Sequence, residues 1–235
     1  MNTLKHLNSL LVIAILFALS SCQTDVEHAD SLRLENKFDE AAQLYQKAAD
    51  EGDAYATWRL SYAYGNGDGV DFDQEKAFTL LKEAAEKGCK EAECDLSFDY
   101  MFGWYGHTDP VKGKQMFDKL IAQNNDNAYI QSHYARLLLS GAEGFYEKNT
   151  EKALRILKQV KDKDDPYYLW LEGSIYLSGI DNIESDYSKA ITYFTKSFEK
   201  GGRNSSVFLA QIYFTKDRKE TFDIQKGIVT CTEIG

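Results

Sequence analysis

Four glycines at near-constant intervals constrain this chain more than any other feature. A helix ending Leu60-Ser61-x-x-Tyr64-x-x-Gly67 has its closing glycine echoed at Gly103, Gly141 and Gly179, with spacings of 36, 38 and 38 residues. A second signature runs beside it at Lys76-Ala77, Lys114-Gln115, Lys152-Ala153 and Lys189-Ala190, spaced 38, 38 and 37. Two markers with one period indicate a repeat array, in which each unit buries its apolar face against its neighbours. Arrays of this kind more often bind other proteins than carry out chemistry.

The N-terminus carries a leader. Lys5 and His6 precede an apolar run from Leu10 to Leu19, too short to span a bilayer. The following Leu19-Ser20-Ser21-Cys22 resembles the bacterial lipobox. That resemblance implies cleavage before Cys22 and lipid on its thiol, where two or three acyl chains hold firmly. The expected division is a signal peptide at 1–21, a lipidated linker at 22–30 and a repeat domain at 31–235. Gln23 follows the cysteine where aspartate would favour inner-membrane retention, so the expected location is the cell envelope, at the outer membrane.

Loss of the leader removes one lysine and no acid, moving the formal charge from −10 to −11. So acidic a body, with no basic stripe, excludes nucleic acid as the expected partner. Cys89, Cys94 and Cys231 are left after Cys22, and neither a disulfide framework nor a metal site is expected of them. Cys89 and Cys94 would point apart on a helix. His28, His107 and His133 have no ligand spacing to any cysteine. Asn66, Asp68, Asp71 and Asp73 gather oxygen ligands, but Val70 interrupts the calcium-loop pattern, and a capped turn is expected.

Each unit reads as two antiparallel helices, making the chain all-α. In the first helix, Ala54 to Tyr64, Ala56, Leu60 and Tyr64 share a face. Gly65 to Val70 reads as a turn, and a second helix, about Asp73 to Lys87, closes at Gly88. Further first helices are expected near 90–102, 127–139, 166–178 and 204–215, and second helices near 111–123, 149–161 and 187–200. Asp109-Pro110 and Asp165-Pro166 are cap-and-proline helix starts. Phe38 to Glu51 reads as an orphan second helix, and Ile224 to Ile234 as a weak last one.

This pattern resembles the Sel-one-like repeat, a relative of the tetratricopeptide repeat. The first unit carries its motif at Ala56, Leu60, Tyr64, Gly67, Gly69, Val70, Asp73, Lys76, Ala77, Ala84, Ala85 and Gly88, with Ser61 in place of a glycine. Later units keep less of it, such as Ala92, Leu96, Tyr100 and Gly103 in the second. The resemblance implies a right-handed α-solenoid with a concave groove.

At 100° per residue, Tyr55, Trp58 and Tyr62 fall opposite the packing face of the first helix. The resemblance puts that side in the groove. Repeat offsets extend the column to Phe98, Tyr129, Arg136, Tyr167 and Trp170. Rigid aromatics with an arginine are what binding hot spots prefer. The expected function is thus a lipid-anchored scaffold that holds an envelope protein or peptide in its groove, within an assembly such as a secretion or polysaccharide-export complex. No catalytic residue or cofactor is expected. The alternative is a cell-wall-related binder or weak hydrolase of β-lactam-like ligands, since some cysteine-rich members of the family are linked to penicillin recognition; this chain lacks their paired cysteines.

Overall fold

The computed structural model describes residues 25–123, 126–142 and 144–214; Cys22, Cys231, the leader and the helix expected over 224–234 lie outside them. The described residues are helical apart from turns and two isolated β-bridges, Ala142–Tyr146 and Ile180–Ile183. Helix α1 covers 25–34. Then come α2 (Phe38–Asp50), α3 (Ala54–Asn66), α4 (Gln74–Glu86), α5 (Lys90–Phe102) and α6 (Pro110–Gln123). They are followed by α7 (Ala128–Ser140), α8 (Thr150–Gln159), α9 (Pro166–Ser178), α10 (Tyr187–Glu199) and α11 (Asn204–Phe214).

Two expectations are corrected at the start of this order. Residues 25–34 form a helix where a linker to residue 30 was expected. Phe38–Asp50 is therefore no orphan. Lys47 near its end pairs with Asp25 at the start of α1 at 2.7 Å, and Tyr45 donates to Asp30, so α1 and α2 form an antiparallel pair.

The helix boundaries follow from local chemistry. Asp53, Asp73, Asp109, Asn127, Asn149, Asp165 and Asp186 each accept a backbone N–H three residues on, satisfying one of the donors a helix start leaves open. The acids of the candidate calcium loop thus include a cap, Asp73 on the N–H of Lys76 at 2.9 Å. Gly67 and Gly103 close α3 and α5 at φ 74° and 72°, a left-handed conformation that a side chain resists. Helix α3 runs two residues past the expected end. Gly65 lies inside it, and a Cβ there would sit 3.0 Å from the Tyr105 hydroxyl.

The chain divides into two compact units, Met1–Phe117 and Asp118–Gly235, with the boundary inside α6. In the first, Ala41, Tyr45, Ala48, Ala56 and Leu60 form a core, joined by Val70 and Leu80. In the second, Leu138, Ala153, Leu157, Leu169 and Leu171 form one core, and Ala190, Phe194, Leu209 and Ile212 another. A fully buried leucine contributes about 2–3 kcal/mol, so these cores hold the pairs together where helix propensity alone would not.

The lysine signature has a physical cause, and one member moves. Lys76 lies over the ring of Tyr64, Lys152 over Tyr134 and Lys189 over Tyr176, with Nζ 3.9, 5.0 and 4.9 Å from the centroids. Each lysine begins a second helix and covers a tyrosine of the preceding first helix. In the second unit of the repeat this role belongs to Lys112, 4.0 Å over Tyr100, and not to Lys114. Gly113 then stands where Ala77, Ala153 and Ala190 stand elsewhere. A Cβ there would lie 2.7 Å from the Met101 nitrogen and the Ser97 carbonyl oxygen, so α6 crosses α5 too closely for alanine.

Candidate functional site

The aromatic column expected along the first helices meets two different environments. In the first unit its members are tied into internal networks. Trp58, 4% exposed, donates its indole N–H to Asp95 Oδ2 at 2.7 Å, and the Tyr62 hydroxyl donates to the same oxygen at 2.9 Å. Both donors sit on α3 and the acceptor on α5, so the carboxylate joins adjacent repeats. Tyr55 donates to Asp30 at 3.2 Å and accepts from Arg59 Nε at 2.7 Å. The Arg59 guanidinium also lies over the Tyr55 and Trp58 rings, at 4.8 and 4.5 Å. Burial pushes the Tyr45 and Tyr55 hydroxyls up from their usual range, which keeps both protonated as donors to Asp30. Phe98 is fully buried, packed edge-on against Phe117 and beside Phe102 and Trp104. Trp58 and Phe98 therefore present no surface to a partner as the molecule stands. Their burial corrects the placement of both on an open groove.

In the second unit the column is partly exposed. Tyr129 and Arg136 on α7 and Tyr167 and Trp170 on α9 are all half-buried. Tyr129 and Tyr167 have ring centroids 5.5 Å apart, and Trp170 continues the row 5.2 Å from Tyr167. Two further members escaped the sequence reading. His133, one turn after Tyr129, stacks on Tyr167 at 3.9 Å with the planes 5° apart. Phe208 on α11 meets Trp170 edge-on at 6.0 Å. The repeat offset reaches Phe208, since it stands 38 residues after Trp170 as Trp170 does after Ser132. Complete burial, then the Arg136 charge, hold the His133 imidazole well below its usual range, so this histidine is neutral.

Polar satisfaction also differs along this row. The Trp170 indole N–H is shielded from water and has no acceptor among the described residues. A buried donor without an acceptor costs about 1–3 kcal/mol. By contrast, the Cys89 thiol is not primed as a nucleophile. Cys89 and Cys94 are buried and not joined in a disulfide, and burial pushes the Cys89 thiol up to about 12, far from thiolate chemistry at neutral pH.

Antiparallel helix pairs with glycine-closed first helices and lysine-bearing second helices define an all-α repeat protein. The chain belongs to the Sel1 repeat family: the Sel1 repeat model matches residues 32–53, 54–89, 130–164 and 173–202, together more than half of the chain. The unmatched stretch between 89 and 130 holds α5 and α6, where Lys112-Gly113 departs from the lysine–alanine signature. Sel1 repeats generally mediate protein–protein interactions.

Among curated relatives, an exopolysaccharide production negative regulator from Rhizobium leguminosarum bv. viciae is 25% identical over 58% of this chain. The chain spans 55% of that regulator's length. Among solved structures, an immunity protein from Pseudomonas aeruginosa superposes with a TM-score of 0.56 at 18% identity, covering 91% of this chain and 81% of that one. A Sel1 repeat protein from Klebsiella pneumoniae subsp. pneumoniae superposes with a TM-score of 0.51 at 21% identity, covering 80% and 90%. These likenesses concern the fold.

Proposed function

We propose that this protein is a lipid-anchored, protein-binding repeat module of a bacterial cell envelope, and that it grips its partner with the aromatic row of the second unit. The observation that carries the reading is Trp170. Its ring continues a half-buried row of aromatic side chains from Tyr129 through Tyr167. Tyr129, Tyr167 and Arg136 beside it offer the stacking and charge that interface anchors use. Turnover plays no part in this reading; recognition rests on preorganised rings.

The lipid anchor rests on the lipobox resemblance at Leu19-Ser20-Ser21-Cys22, and the outer-membrane assignment on Gln23. Similarity to a regulator of exopolysaccharide production supports a partner among the proteins that make or export envelope polysaccharide. The test is in-cell photocrosslinking from Tyr129 and Trp170, with Lys82 on the outer face of α4 as control. One dominant envelope protein captured from the two aromatic sites, and lost in a Tyr129→Ala/Trp170→Ala variant that keeps its helicity, is the expected result. Equal capture from Lys82, or undiminished capture by the variant, overturns the assignment. A Cys22→Ser variant that still fractionates with membranes would overturn the anchor separately.

A further inference from the structure

Among the described residues of the first unit, the exposed large apolar side chains lie at one end. They are Leu34, Phe72, Phe102, Trp104 and Val111, at 48, 65, 40, 51 and 69%. Leu34 ends α1, Phe72 lies in the α3–α4 connection, Phe102 and Trp104 straddle the end of α5, and Val111 opens α6. These are the three turns within the helix pairs. The turns between pairs, around Gly52 and Gly88, lie at the opposite end and contribute none.

The three turns sit side by side. The Gly69 Cα lies so close to the start of α2 that a Cβ would come within 2.3 Å of the Phe38 carbonyl. Gln74 at the start of α4 donates to the Trp104 carbonyl at 3.4 Å, and His107 stacks on Phe78 of α4. Contiguous exposed apolar surface of this kind marks an interaction site when it has a defined rim.

The rim is acidic at two of the three turns; in the α1–α2 turn Arg33 and Lys37 stand beside Leu34, and Lys37 pairs with Glu35 at 2.7 Å. Segment 65–75 holds Asp68, Asp71, Asp73 and Glu75, segment 102–111 holds Asp109, and neither contains lysine or arginine. The nearest lysines that follow them, Lys76 and Lys112, are drawn over the rings of Tyr64 and Tyr100. Phe72, Phe102 and Trp104 therefore project from two turns whose field favours cations.

We propose that this turn edge is a second docking surface, built for a partner-protein segment that combines lysine or arginine with apolar side chains. It is separate from the aromatic row of the second unit and does not depend on it. A bilayer is the less suitable occupant. Anionic headgroups meet a like charge here. On the anchor reading, moreover, Cys22 lies three residues before α1, whose start is at the other end of the pair, about 15 Å from the turn at 1.5 Å per residue.

The probes are short synthetic peptides added to the full chain: alternating lysine and leucine, alternating glutamate and leucine, and alternating lysine and serine. Vesicles of phosphatidylglycerol are a fourth. The lysine–leucine peptide is expected to bind saturably and shift tryptophan emission. A Trp104→Phe variant should lose the emission shift while calorimetry still records binding. A Phe72→Ser/Trp104→Ser variant, both sites being exposed and its helicity serving as the folding control, should bind about tenfold more weakly or worse. The glutamate–leucine peptide should not bind, and the lysine–serine peptide only weakly. An emission shift that persists in Trp104→Phe puts the peptide elsewhere and overturns the proposal. So do equal affinities for the lysine and glutamate peptides, undiminished binding by the double variant, or vesicle binding without peptide binding.

Discussion

Replacing Gly113 by alanine sets two effects of known size against each other. Glycine inside a helix costs about 1 kcal/mol relative to alanine, so propensity alone predicts that Gly113→Ala stabilises α6 by that amount. The structure predicts the opposite. The new methyl would sit 2.7 Å from the Met101 nitrogen and the Ser97 carbonyl oxygen, and 2.8 Å from Met101 Cγ. Two of those atoms are backbone of α5 and cannot rotate away, so α6 must move off. Overpacking of this kind costs about 1–3 kcal/mol and separates the ring of Tyr100 from Lys112 as well. The expected net is destabilisation by up to about 2 kcal/mol, or up to roughly 8 °C in melting midpoint for a chain of this size. The reverse swap at the equivalent position, Ala153→Gly, should also destabilise, by about 2 kcal/mol, because it loses propensity and a buried methyl together. Urea unfolding followed by helical circular dichroism measures both. A Gly113→Ala variant more stable than the parent would show that propensity wins and that the close crossing of α5 and α6 does not govern the register.

Three further outcomes follow from the same geometry. Trp58→Phe should cost about 1–3 kcal/mol in urea unfolding, because Asp95 loses a buried donor, yet leave partner capture by the second unit intact; a loss of capture would return Trp58 to the binding face. His133 is held neutral in the folded chain, so folded and unfolded states bind protons alike above about pH 6.5, and below it only the unfolded state charges. Stability should then fall by about 1.4 kcal/mol per pH unit on acidification from there, a slope absent from His133→Gln; equal slopes between pH 6.5 and 5.5 would refute the assignment. Lys76→Met removes the cation from the Tyr64 ring and should cost about 0.5–1 kcal/mol at low salt, with a similar loss for Lys152→Met; no measurable change in either would reduce the lysine signature to a solvated face.

The sequence by itself determined the repeat, the all-helical class and most helix boundaries. These depend on rules that act within a few residues: an Asp or Asn cap three residues before its N–H, a glycine at positive φ, a period of apolar positions. Hence α5 and α9 begin and end where the sequence places them, at 90–102 and 166–178. What it left open was whatever depends on a neighbour distant in sequence. Helical angles put Trp58 and Trp170 on the same side of equivalent helices, but only the fold brings Asp95 to the first and leaves the indole of the second without an acceptor. The period alone favoured Lys114-Gln115, whereas the closeness of α6 to α5 selected Lys112-Gly113. The turn edge of the first unit was equally hidden, because Leu34, Phe72, Trp104 and Val111 are far apart in the chain and meet only when antiparallel pairs stack their turns at one end. Local chemistry sets where helices start and stop. The approach of one helix to the next decides which side chains remain available to a partner.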